Sequence, residues 1–340
     1  LIQFFVNLKQ MQGAGIGILD SIADLRDTSD NDKFRDVLSE MYREISEGSS
    51  LSEAMAQHPK VFVNIHVSLI AAGEENGDIT TSCEQLIVYL KWVDAMQTRV
   101  RKATRYPMIL LGVVILTITI MMAMVVPQIV GFLENMDQEL PWTTTSLMAT
   151  SNFFAAYWMF VLTVPVVLYI LIQAGRKSSD RFAYQIDSLM LKVPVLGTVI
   201  RKISITRFCQ TFSALFSGGI EVIKALQSAS LTVNNRVLKE SLDDVEVFVK
   251  QGAPISQALN QSGEFPSMVV RMVRVGEESG NLSVVLDQVA EFYTNDVDEE
   301  VQKIITMIEP SLTAVLGVMI LWIAVGVFGP IYSSFESIEF

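Results

Sequence analysis

Two acidic hexapeptides, GEENGD at 73–78 and GEESGN at 276–281, set neighbouring carboxylates between glycines. Glu74 and Glu75 lie between Gly73 and Gly77, and Glu277 and Glu278 lie between Gly276 and Gly280. Adjacent carboxylates repel one another and call for cations, which arginines, a divalent metal or a basic partner surface can supply. Calcium takes roughly 6–8 oxygens, and each motif alone supplies too few, so Glu74, Glu75, Glu277 and Glu278 are weak metal candidates. A turn with charge pairing fits the spacing better. Gly77 and Gly280 can adopt a left-handed conformation at little cost. Asp78 and Asn281 then stand where a helix N-cap is wanted, and the glutamates are expected to pair with arginines of the other helices in their own bundle.

Other candidate chemistry is sparse. The two histidines, His58 and His66, are eight residues apart, with no nearby cysteine, which does not suit a helix-borne metal pair. GAGIG at 13–17 lacks the Lys-Ser/Thr of a phosphate loop and reads as a helix break. No Ser-His-Asp arrangement can be drawn from two clustered histidines. Glu309, before Pro310, stands at the start of an apolar run, where a carboxylate is either a proton carrier or a helix-interface residue whose charge reaches water. The interface reading is the better one. The sequence therefore predicts no enzyme and no cofactor.

Composition directs attention to the lipid bilayer. Of 340 residues, 50% are hydrophobic and only 18% charged, and the mean hydropathy is +0.39. The net charge of −12 argues against nucleic acid, which wants a basic footprint. Cys83 and Cys209 are too isolated for a disulfide framework or a metal site, as befits segments in the cytoplasm. The chain opens on Leu1 within an amphipathic pattern, so further sequence is expected ahead of it.

Three stretches free of ionisable charge are long enough to span a bilayer core, which needs about 20 apolar residues of helix. They are 107–133, a segment within 140–175, and 310–335. Arg99, Arg101, Lys102 and Arg105 precede the first, and Arg176, Lys177 and Arg181 follow the second. The loop between them, ENMDQELPW, and the tail, ESIEF, carry no basic residue. Basic flanks stay inside, so the large flanking segments are expected in the cytoplasm, with the loop and the tail outside.

Sliding the chain on itself by 204 positions superposes MQGAGIGIL (11–19) on LFSGGIEVI (215–223) and GSSLSEAM (48–55) on GAPISQAL (252–259). After a one-residue adjustment AAGEENGDI falls on RVGEESGNL, and Pro107 on Pro310. A helical domain and the span after it are thus read as duplicated. Leu1, Phe4, Phe5, Leu8 and Met11 recur at helical spacing, as do Ile205, Phe208, Cys209, Phe212 and Leu215. Further helices are predicted over 16–28, 31–47, 50–57, 62–73 and 78–105, the third of these capped by Ser50 or Ser52. The expected fold is an all-α membrane protein with two repeated cytoplasmic six-helix bundle domains and three transmembrane helices. Its parts are a first helical repeat over 1–105, a span over 106–133, an outside loop over 134–152 and a span over 153–175. A second repeat over 176–308, a span over 309–335 and an outside tail over 336–340 complete it. Pro107, Glu309 and Pro310 mark the membrane boundaries. Gly317, Gly326 and Gly329 permit close helix contact, and Met121, Met122 and Met124 can fill irregular gaps.

SGGIEVIKAL (217–226), FPSMVVRMVRVGEESGNL (265–282), VVPQIVGF (125–132) and IEPSLTAVLG (308–317), together with the duplicated helical pattern, resemble the protein F family. These are the inner-membrane platform proteins of type II secretion systems and type IV pili. The resemblance covers essentially the whole chain. It implies a multi-pass protein of the bacterial inner membrane with its soluble domains in the cytoplasm. The implied partners are a cytoplasmic assembly ATPase, pilin or pseudopilin subunits, other inner-membrane assembly proteins, the lipid bilayer and further copies of the chain; nucleic acid is not among them. A transporter and a membrane receptor or signalling scaffold are the alternative readings.

Overall fold

The computed structural model describes residues 1–134, 142–194 and 196–336. Residues 135–141 of the expected outside loop and 337–340 of the expected tail therefore lie outside the described residues. Those described form helices and turns, with no strand among them. In chain order the helices are α1 (Ile2–Gly13), α2 (Ile18–Asp27), α3 (Asp32–Ser46), α4 (Leu51–Ala56), α5 (Asn64–Asn76) and α6 (Ile79–Ile120). A π turn (Met121–Val125), α7 (Val126–Glu134) and α8 (Trp142–Ser178) come next. Then follow α9 (Asp180–Lys192), α10 (Leu196–Ser217), α11 (Val222–Ser230), α12 (Arg236–Lys250), α13 (Ile255–Ser262), α14 (Ser267–Ser279) and α15 (Leu282–Glu336). The sequence pattern did not foretell α9, nor the first turns of α10 ahead of Ile205.

Two compact units result. One joins Leu1–Arg99 with Tyr184–Glu300. Its apolar core is contiguous across both segments, with Phe5, Leu8 and Phe62 from the first and Phe208, Phe212 and Leu286 from the second. Within each segment successive helices pack on one another, α1 through α5 and α10 through α14. The segments meet where α5 lies against α10 and α11. Asn64 donates to Ser228 Oγ at 3.0 Å, Thr211 Oγ1 lies 3.5 Å from Tyr89 Oη, and Arg99 pairs with Asp298 at 2.5 Å.

The second unit comprises Val100–Ala183 and Val301–Phe340. Two helical stretches, Ile79–Ile129 and Leu282–Phe328, are long and apolar enough to cross a membrane. A third is added if the bent pair Trp142–Phe160 and Thr163–Ser178, 44° apart, forms one span. Pro107 sits inside α6, where it removes one backbone donor without ending the helix. The π turn has a clear local cause. Val126 N–H donates five residues back to Met121 O, and Pro127 has no N–H, so Met122 O loses its in-helix donors. Ser151 Oγ takes up that carbonyl at 2.6 Å. Thr144 Oγ1 similarly donates to Gly326 O at 2.6 Å, and Leu147 packs with Met122, Val126, Met319 and Ile323. A side chain at Gly326 would come within 2.9 Å of Leu147, whereas Gly317 has open space around it.

Candidate functional site

The short helices α4 and α13 begin, like all helices, with N–H groups that have no intrahelical acceptor. At α4 a capping box satisfies two of them. Ser50 Oγ accepts from Glu53 N at 3.1 Å, and the Glu53 carboxylate accepts from Ser50 N at 2.9 Å. The next two, Leu51 N and Ser52 N, donate to the Glu74 carboxylate at 2.6 and 3.1 Å. At α13 the Glu277 carboxylate accepts from Ile255 N and Ser256 N at 2.5 and 2.9 Å. Pro254 is the N-cap residue there and has no N–H of its own.

A carboxylate facing a helix N-terminus gains from charge-assisted hydrogen bonds and from the positive end of the helix dipole. This arrangement replaces the arginine pairing expected for Glu74 and Glu277. Glu75 and Glu278 are exposed. Consecutive residues on a helix are turned about 100° from one another, so the two carboxylates of each pair face different surroundings and their repulsion is relieved by water.

The first four residues of each hexapeptide are helical, because α5 ends at Asn76 and α14 at Ser279. The turn is confined to Gly77 and Gly280, both left-handed at φ 72°. Gly73 and Gly276 serve a different need, the close approach of the following helix. A Cβ at Gly73 would strike Ser82 Oγ and lie 2.9 Å from Ser82 Cβ and 3.0 Å from Asp78 O. One at Gly276 would lie 3.1 Å from Leu282 Cα and 3.2 Å from Val285 Cβ. Asp78 Oδ1 accepts from Thr81 N at 2.9 Å, and hydrogen bonds from Thr81 hold its carboxyl below the usual range. The Asn281 side chain instead donates back to Ser279 O at 3.3 Å.

Between the first hexapeptide and the SGG loop at 217–219 lies a polar cleft of about 210 Å³. Asn76, Asp78, Ser82, Gln85 and Gly218 line it, and Gln85 Oε1 has no hydrogen-bond partner among the described residues. A side chain at Gly218 would come within 2.5 Å of Leu69 and 2.8 Å of Gln85. Sequence reasoning missed Gln85 and Gly218, because only the pairing of the two segments brings them together. The polar Thr144 and Ser151 in an apolar stretch were visible signals that went unused.

The remaining candidates are dispersed. His66 is buried against Phe5 and Phe62, and burial pulls its pKa down to about 4. His58 Nε2 lies 3.6 Å from Glu40. Glu309 and Pro310 are exposed on α15, and Met122 is buried while Met124 is exposed. No group of three or more His, Cys, Asp or Glu converges as a metal site would among the described residues.

The described residues thus form a strand-free helical protein with two or three membrane-crossing candidates and two short helices, α4 and α13, each anchored by a glutamate of the helix that follows it. Comparison with known sequences makes the class specific. The family described as "Type II secretion system (T2SS), protein F" matches at residues 4–127 and again at 208–330, together well over half of the chain. The chain belongs to that family. It is 29% identical over 329 residues to a type IV pilus assembly protein PilC of Pseudomonas aeruginosa, covering 97% of this chain and 88% of that one. Identity is 32% over 332 residues to a PilC of Thermus thermophilus, covering 97% and 81%. A type II secretion system protein F of Xanthomonas campestris is 27% identical over 313 residues, covering 92% and 77%. These names describe assembly and secretion components, and none denotes an enzyme.

Proposed function

We propose that this chain is the inner-membrane platform of a type IV pilus or type II secretion machine, coupling a cytoplasmic assembly ATPase to the polymerisation of pilin or pseudopilin subunits. The observation that carries the reading is the family match at two separate segments, 4–127 and 208–330. On this reading the segments are two copies of a six-helix domain, α1–α6 and α10–α15, each ending in a helix that continues into a span. The domain limits are those expected from sequence, with residues 1–105 and 176–308 in the cytoplasm and three crossings at 106–133, 153–175 and 309–335. Gly73, Gly77, Gly276 and Gly280 have a structural role, and Pro107, Glu309 and Pro310 mark the membrane boundaries.

Long unbroken helices suit mechanical coupling. α6 has 42 residues and α15 has 55, and each carries both core positions and an apolar run. A motor that displaces the first part of such a rod displaces the rest with it, and the chain itself hydrolyses nothing. The test is complementation in a strain lacking this protein, paired with co-purification of the assembly ATPase. Loss of surface fibres or secretion, restored by the full chain, is the expected result. Normal fibres and secretion in the deletion strain, or nucleotide hydrolysis intrinsic to the purified chain, would overturn the proposal.

A further inference from the structure

Apart from α6 and α15, which pair at Trp92–Thr294 and Arg99–Asp298, the two segments of the first unit meet through different surfaces. The first contributes α5 and the start of α6; the second contributes α10 and α11. Such a contact is heterologous, and it leaves one surface of each kind unused. The unused pair is identified by sequence correspondence: α14 and the start of α15 match α5 and α6, while α1 and α2 match α10 and α11. Among the described residues no comparable packing joins α14 to α1 or α2.

The two unused surfaces differ in exposure from their used counterparts. Tyr89 of α6 is 8% exposed at the contact, whereas Phe292, 203 positions later, is 46% exposed. Charge separates them as well. Arg271 and Arg274 stand exposed on α14, on the row that begins at Ser267, the counterpart of Asn64. Asp20 and Asp24 stand exposed on α2, and Asp24 is the counterpart of Ser228, the residue Asn64 bonds.

We infer that α14 and the start of α15 of one copy dock on α1 and α2 of a second copy, repeating between chains the contact made within each chain. Arg271 and Arg274 would then face Asp20 and Asp24, while Phe292 loses its exposure. Because the contact is head-to-tail, each copy offers one surface of each kind, and the assembly closes as a ring wherever the rotation permits. The inference rests on the correspondence of the two segments and is independent of which machine the protein serves.

Cysteine cross-linking in the full chain, in its own membrane, tests this. Two tagged versions are co-expressed, one with Asp24→Cys and one with Ser267→Cys. The native Cys83 and Cys209 are fully buried and do not compete. As a control, Asn64→Cys with Ser228→Cys in a single chain should close an internal disulfide, since those residues bond at 3.0 Å. Oxidation should link the two tags, and neither version expressed alone should form a dimer. Arg271→Glu with Arg274→Glu should lower the yield several-fold, and Asp20→Arg in the partner version should restore it. If the control disulfide forms but the two tags never link, a different molecule covers these faces and the inference fails. It also fails if either version links to itself, because that is the signature of a symmetric contact.

Discussion

The two glutamate-anchored helices do the same task with different surroundings. At α4 a capping box and Glu74 together satisfy the opening N–H groups, so the load is shared between Ser50, Glu53 and Glu74. At α13 the N-cap is Pro254, which offers no side-chain acceptor, and Glu277 holds Ile255 N and Ser256 N alone. The glycines differ in the opposite sense. Gly73 is jammed against Ser82, while Gly276 is merely close to Leu282 and Val285. One architecture thus places its greatest sensitivity on a glycine in the first segment and on a glutamate in the second.

The largest expected difference depends on pH. His66 is buried in the first segment, and its counterpart 203 positions on is the buried Val269. Desolvation lowers the folded-state pKa of His66 from 6.5 to about 4. Its neutral form is therefore favoured in the folded protein, and the unfolded chain binds the proton first as pH falls. Stability from this source is complete above pH 6.5 and is lost between there and pH 4, by about 3 kcal/mol in all. Thermal or denaturant unfolding at pH 7 and pH 4 should show this loss, and His66→Val should remove most of it.

Next in size is Gly73→Ala, expected to cost about 2–3 kcal/mol because Ser82 and the Asp78 carbonyl must move. Gly276→Ala should cost about 1 kcal/mol, since its neighbours need yield only slightly. Equal effects in the two segments would break the comparison. For the carboxylates the order reverses. Glu277→Ala should cost about 2 kcal/mol by stranding two donors, and Glu74→Ala less, with the capping box still in place. The smallest effect is at the caps, where Asp78→Ala should lower the melting temperature detectably and Asn281→Ala hardly at all.

Much of this was legible in the sequence. The stripe Phe4, Phe5, Leu8 and its partner Ile205, Phe208, Phe212 are core residues in the structure. Ser50 caps α4, and the apolar runs lie in helices long enough to span a bilayer. What the sequence hid were long-range partners. Adjacent acids suggested arginines because pairwise charge is easy to read, whereas the bare N–H groups of a helix some twenty residues earlier leave no residue signature. The helical state of Gly73–Asn76 was hidden for a related reason. Glycine usually signals a break, and here it permits close packing of α6 on α5. The kinship of Gln85 with Gly218 required the pairing of two distant segments, and the π turn required the joint effect of Pro127 and Ser151.

The central claim is that each repeated hexapeptide anchors a short helix through its first glutamate. Amide hydrogen exchange at residues 51–52 and 255–256 in the intact chain measures this most directly. Glu74→Ala should accelerate exchange at Leu51 and Ser52 and leave Ile255 and Ser256 protected, and Glu277→Ala should do the reverse. Neither pattern should change with added calcium or with EDTA. Protection that is unaltered by both substitutions, or that rises with calcium and collapses with EDTA, would contradict the account.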